Sequence, residues 1–252
     1  MRAQALVAAL LILEGQMGGG AEGQAPPPSV PRSAEQLIVV ATSGWDSITG
    51  TLTMYQRSQG GPWQQRGTSW AIVVGRTGLA WGRGIIPVQA RAGPVKHEGD
   101  GRAPAGAFTL GTAFGYAPPD SAAWLRLPYV QATAALECVD DSRSRWYNQV
   151  LLRSSAQPAP DWNSSEIMRL SSDAYQWGVV VEHNSAPPIP GVGSCIFLHV
   201  WGGPREPTVG CTAMAEPNLL DLMHWLDPKR QPVLVQLPAE EYQRLRKQWK
   251  LP

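Results

Sequence analysis

Apolar residues in this chain arrive in short β-branched or alternating runs, each cut off by glycine or proline before a helix could use them. Leu37–Ala41, Gly50–Gln56 and Trp70–Val74 are separated by Ser-Gly, Gly-Gly-Pro and Arg-Gly breaks, the pattern of successive antiparallel strands in a meander. Leu110–Tyr116, Tyr129–Cys138, Trp177–Glu182, Cys195–Val200 and Val233–Leu237 repeat it further on. Only three segments read as helix. Trp162–Tyr175 is polar, with Asn163 or Ser164 as a cap and Glu166 near the first turn, and an insertion of this kind often covers a cleft. Glu216-Pro217 opens a second, whose apolar face is Leu219, Leu220, Leu222, Met223 and Leu226. Ala239–Trp249 is a short amphipathic helix with basic residues at its end. The expected fold class is mainly β.

No stretch in the middle of the 252 residues reads as a linker, so one domain is expected. Residues 1–21, with Arg2 ahead of the apolar run Ala3–Leu13, read as a secretory signal peptide that is too short to span a bilayer. No cysteine follows the run to carry a lipid. Residues 22–35 form a Pro/Gly-rich leader, within which Ala25–Ser33 has no core to bury. The domain itself is placed at 36–238 and a C-terminal helical extension at 239–252. The resulting location is exported, in the periplasm or cell envelope. Lys+Arg 21 against Asp+Glu 20 leaves a net charge of +1, which gives no general attraction to nucleic acid or anionic membrane. Eleven tryptophans mark a β-rich core, and some of the rings are suited to stacking on sugars or peptide stems.

The chemistry concentrates in Gly193–Met214. An apolar run delivers His199, the Gly/Pro-rich segment Gly202–Pro207 turns back, and Cys211 follows Gly210. This arrangement can bring imidazole and sulfur face to face. A thiol of ordinary pKa, about 8.5, is mostly protonated at neutral pH and needs such a base. Backbone N–H groups at Gly210 and Cys211 can serve a developing oxyanion. Two other readings share the same residues: Cys211 as a buried structural cysteine, and zinc held by Cys195, His199 and Cys211 with Cys138 or His183. The absence of any Cys-x-x-Cys pair weighs against zinc. Export would put three cysteines in an oxidising compartment. A Cys138–Cys195 bridge would then leave Cys211 free, a pairing that turns on whether their Cα atoms come within bridging distance.

His199 followed by Thr208-Val209-Gly210-Cys211, with the upstream run Gly99-Asp100-Gly101-Arg102-Ala103-Pro104-Ala105-Gly106-Ala107-Phe108, resembles the L,D-transpeptidase (YkuD-type) catalytic domain of bacterial cell-wall enzymes. The resemblance runs from about Leu37 to about Leu237. It implies a β-sandwich or barrel-like sheet with a few peripheral helices. It also implies Cys211 as nucleophile, His199 as general base and acid, and the backbone at Gly210 as oxyanion donor. The substrate would be the stem peptides of peptidoglycan, with carbapenem-type compounds as inhibitors, no metal or organic cofactor, and no obligate protein partner.

Lys96, Asp100 and Arg102 could then orient a peptide stem, although a solvated hairpin loop accounts equally for such residues. Thr208 belongs to the motif. His183, at a strand end, is either a site residue or a plain loop histidine, and Asp140 and Asp141 read as loop or capping carboxylates. Many family members carry an arginine two positions after the cysteine; here that position is Ala213, and Arg205 is the nearest substitute. The loss of that fork leaves the acceptor open. It is either an amine of a second stem or water, as in an L,D-carboxypeptidase or amidase. A non-catalytic wall-binding module is the third reading.

Overall fold

The structure, a computed structural model, describes residues 28–58, 60–87, 92–157 and 159–252. The proposed signal peptide therefore lies outside the described residues. The first three runs form the expected meander. Strand β1 (Gln36–Thr42) pairs antiparallel with β2 (Thr49–Gln56), which pairs antiparallel with β3 (Gln64–Val73). β1 is almost wholly buried, as a strand covered on both faces must be, which is why its sequence is a continuous apolar run rather than an alternation.

After the short β4 (Leu79–Trp81), the long β5 (Ala103–Gly115) closes the sheet. Its first half pairs with β13 (Val233–Pro238) and its second half with β10 (Trp177–Val181). β10 continues to β11 (Phe197–Val200) and β12 (Thr212–Met214), and β12 pairs with β3. Since β13 also lies parallel to β1, eight strands make a closed, barrel-like ring. Within the ring two pairings are parallel, β11 with β12 and β1 with β13, where a plain meander would have none.

The expected run Tyr129–Cys138 divides. β6 (Tyr129–Gln131) adds to β5, whereas β7 (Leu136–Cys138) forms a separate three-stranded sheet with β8 (Val150–Leu152) and β9 (Glu166–Ile167). Pairing of β9 with β7 replaces the helix expected over Trp162–Tyr175. The side chains there are committed elsewhere: Trp162 Nε1 and Ser165 Oγ donate to Glu137, and the Asn163 N–H donates to Asp141. Such local hydrogen bonds compete with helix.

Helix α1 (Glu216–Trp225) buries Leu219, Leu222 and Met223, and α2 (Ala239–Trp249) buries Leu245 and Trp249. The described part of the leader, residues 28–35, does not lack a core, contrary to expectation. Val30 is buried and its N–H donates to the Trp249 carbonyl, while Arg57 holds the carbonyls of Pro31 and Ala34. Among the described residues no helix is long and apolar enough to cross a membrane.

Alternation along β11 sorts the two cores. Leu198 and Val200 face the large cluster that includes α1, while Phe197 faces a smaller one with Phe114, Leu136, Met168, Tyr175 and Cys211. The three-stranded sheet lies over this second face and is fastened by a disulfide between Cys138 in β7 and Cys195, with Cα atoms 5.9 Å apart. Gly178 in β10 is required there, because a Cβ would stand 2.3 Å from the Phe114 ring.

Candidate active site

The disulfide settles the cysteine arithmetic: Cys211 is the free thiol. It also removes Cys138 and Cys195 from the ligand set that the zinc reading needs. His199 lies in β11 opposite Gly178 on one side and Ala213 on the other, so both neighbouring strands present small residues beside the imidazole. Cys211 immediately precedes β12. His199 and Cys211 line one cleft of about 390 Å³, walled by Lys96, Glu98, Asp140, Glu166 and Tyr175 and rimmed by the exposed Val209. A second cavity of about 340 Å³ lies against the Cys138–Cys195 bridge and shares Cys195 and Ile196 with the cleft.

Cys211 is 7% exposed. The Phe197 N–H donates to its sulfur at 3.3 Å, and the thiol donates to the Cys195 carbonyl at 3.6 Å. Cys195 reaches that position through a left-handed backbone, φ 55°, with its own N–H on Asn148 Oδ1 at 2.9 Å. Burial, with the Glu166 charge adding, pushes the thiol well above the usual range, and the Phe197 N–H and Lys96 only partly oppose this. No standing thiolate results.

His199 is 8% exposed. Its Nδ1–H donates to the Val200 carbonyl at 2.8 Å. Burial lowers its pKa to about 4 against the opposing pull of the Val200 and Ala174 carbonyls, so the ring is neutral. Among the described residues no hydrogen bond joins His199 to Cys211. The phenol of Tyr175 stands edge-on to the imidazole, 5.2 Å between ring centres.

The expected binding residues divide into two groups. Lys96 and Thr208 line the cleft. Lys96 is 3% exposed, with Nζ on Asp100 Oδ1 at 2.6 Å and on the His97 carbonyl at 2.8 Å. Asp100 thus serves the lysine and also accepts from the Arg102 N–H. Thr208 Oγ1 donates to the Cys211 carbonyl at 2.7 Å and accepts the Gly210 N–H at 3.1 Å. The Gly210 amide expected to serve an oxyanion is therefore occupied in the resting chain.

The others do not line the cleft. Arg102 is held by Asp46 and by the carbonyls of Trp45 and Leu79. His183 is buried, with Nδ1 accepting from the Arg83 N–H and Nε2 facing the Val192 carbonyl, which engages both nitrogens. Arg205 sits exposed in the loop before Cys211. Asp141 is the expected loop carboxylate, accepting from Arg143 and from the Asn163 N–H.

Four residues of the cleft carry chemistry that sequence patterns did not reveal. Glu98 Oε2 accepts from the Tyr147 hydroxyl and from Ser194 Oγ at 2.7 Å. Asp140 Oδ1 is buried and has no hydrogen-bond partner among the described residues. Glu166 accepts from the Tyr175 hydroxyl; burial, reinforced by Asp140 and Glu98, raises its pKa to about 7 despite that hydrogen bond. The one available signal was that Glu166 and Tyr175 fall within a segment expected to cover a cleft. Compared with protein-family models, with curated proteins and with solved structures, the chain matches none.

Proposed function

We propose that this chain is an exported cysteine acyltransferase of the L,D-transpeptidase kind, acting on peptidoglycan stem peptides. The observation that carries the reading is that the one free cysteine lies in a cleft with His199 and several ionisable side chains, while the other two cysteines are bonded to each other. A purely structural cysteine has no need of that company. The disulfide also suits an oxidising compartment.

In the proposed reaction the Cys211 sulfur adds to the carbonyl carbon of the diaminoacyl residue in a tetrapeptide stem. The thiol proton passes to a base of the cleft, either His199 or the Glu166–Tyr175 pair. The carbon–nitrogen bond to D-alanine then breaks, the amine leaves with a proton from that base, and a thioester remains. An amine of a second stem attacks the thioester, one of its protons passes through the same base to the departing sulfur, the carbon–sulfur bond breaks, and an amide cross-link and the free Cys211 thiol result. With the Gly210 amide on Thr208, the oxyanion must either displace that hydrogen bond or be served by the Cys211 amide.

Ala213 supplies no guanidinium for a substrate carboxylate, so recognition falls on the acidic wall. The unpartnered Asp140 Oδ1 suits the ammonium group of a diamino acid. The test is product analysis after incubation with a disaccharide-tetrapeptide. A dimer lacking one alanine is expected, and it must vanish in Cys211→Ala. A tripeptide without dimer would mean that water is the acceptor, and an unchanged substrate with retained binding would mean a wall-binding module.

A further inference from the structure

The ionisable groups that act on the Cys211 thiol include Tyr175 and Glu166 but not His199. Tyr175 is buried with Cys211 in one cluster and lines the same cleft, so its phenol is the hydroxyl next to the sulfur, and the two groups influence each other's ionisation. The same hydroxyl donates to Glu166 Oε1. Three separate pieces of chain converge here: the residue before β12, the turn Asp173–Tyr175, and β9, which reaches the cleft only because the three-stranded sheet is fastened over it. The phenol is fixed in direction. Its ring stands edge-on to Phe114 at 5.6 Å, Phe197 at 5.6 Å and His199 at 5.2 Å. Once the S–H turns from the Cys195 carbonyl to the phenol oxygen, a hydroxyl already donating to a carboxylate completes a proton path.

We infer that Tyr175 and Glu166 form the proton-accepting arm of Cys211: as the sulfur attacks, its proton moves to the phenol oxygen while the phenol proton moves to Glu166 Oε1. This deepens the acyltransferase reading and rests on Cys211 being its nucleophile. The step balances. Cysteine ends as the sulfur of a new carbon–sulfur bond, tyrosine is again a neutral phenol, and glutamate is a carboxylic acid. When the tetrahedral intermediate collapses, the proton returns through Tyr175 to the departing nitrogen as the carbon–nitrogen bond breaks, and Glu166 is ionised once more. In this step Tyr175 is the catalytic residue, since it takes the proton of the reacting sulfur, and Glu166 acts through it.

The electrostatics suit the task. A thiol held protonated by burial needs a base engaged during attack, and a carboxyl raised to about 7 is close to the operating pH in both directions. The ionisable groups facing the trio are Asp140 beyond β7, Glu98 and Lys96 from the loop before β5, and His199 in β11. Asp140 and Glu98 favour the protonated carboxyl, and Lys96 favours the thiolate. His199 is neutral above about pH 4 and packs against the ring it helps to hold.

The test is the rate of Cys211 alkylation by iodoacetamide, a small neutral electrophile, followed by intact mass from pH 5 to 10. Wild type should show an inflection near pH 7. Glu166→Gln should abolish the inflection and slow the reaction at pH 8 by roughly a hundredfold, the lower range of general-base effects. Tyr175→Phe keeps every ring contact and leaves Glu166 intact, and should do the same; it provides the answer if Glu166→Gln does not fold. A wild-type profile without the inflection would overturn the relay, as would one retained in Glu166→Gln and lost in His199→Gln. Iodoacetamide needs no cell-wall substrate, so the two readings fail separately. Glu166-dependent alkylation without stem-peptide turnover would sink the substrate, and turnover with a Glu166-independent profile would sink the relay.

Discussion

Opening the Cys138–Cys195 bridge should cost the protein much of its stability and loosen the cleft at the same time. The bridge closes a loop with a sequence separation of 57 residues, and constraining an unfolded loop of that length is worth about 4 kcal/mol in the chain-entropy account. Domains of this size are stable by roughly 5–15 kcal/mol, so the loss would be a large fraction of the total. The effect should not be uniform. β7 ends at Cys138 and anchors both β8 and β9, whereas the closed ring is held by its own pairings. The assay is urea unfolding followed by tryptophan fluorescence, oxidised against Cys138→Ser/Cys195→Ser, with amide exchange read for each strand. A fall of about 4 kcal/mol is expected, with exchange in β7–β9 accelerated well before exchange in β1 or β13. Cys211 should also alkylate more slowly at pH 8, because β9 no longer holds Glu166 on the Tyr175 hydroxyl. A midpoint unchanged within error, or uniform acceleration across the ring, would refute the reasoning.

Three further outcomes follow from buried groups. Asp100→Asn should destabilise by about 3–5 kcal/mol, because it leaves the Lys96 ammonium buried without its counter-charge; thermal unfolding should show Lys96→Met/Asp100→Asn to be the milder change. Burial tends to raise the Glu137 carboxyl, but hydrogen bonds from Arg153, Ser165 and Trp162 outweigh it and hold the pKa at about 2. The stabilisation is therefore complete above the ordinary carboxylate range and fades as pH falls from about 4.5 towards 2, so Glu137→Gln should flatten the acid limb of a stability–pH curve. Trp249→Ala should cost about 3–5 kcal/mol in denaturant titrations, because the indole is fully buried.

Much of the fold was legible because period and punctuation agreed. The bounds of β2, β10, β13 and both α-helices follow from apolar spacing flanked by glycine, proline or an acidic first turn. The misreadings share a cause in contacts distant along the chain. Ser164, Ser165 and Glu166 have the local composition of a helix start, yet Glu166 is drawn into pairing with Cys138, 28 residues earlier. Val30 looked like part of an unstructured leader because its partner, Trp249, lies at the other end of the chain.

The site shows the same division. Cys211 and His199 stand out because strand, loop and glycine place them together within one short stretch. Glu98, Asp140, Glu166 and Tyr175 come from four places that only the closed ring and the disulfide bring to one cleft. No local spacing encodes that meeting. Conversely, Arg102 and His183 carried the right chemistry in the right neighbourhood, but their hydrogen bonds commit them to the scaffold.

The most direct measurement is the intact mass of the protein, acid-quenched during incubation with disaccharide-tetrapeptide in the absence of an acceptor amine, followed by peptide mapping. The account predicts an adduct equal to the donor minus one alanine, on the peptide that contains Cys211 and missing from Cys211→Ala. Turnover with no adduct in the wild type, or an adduct that persists in Cys211→Ala, would contradict it.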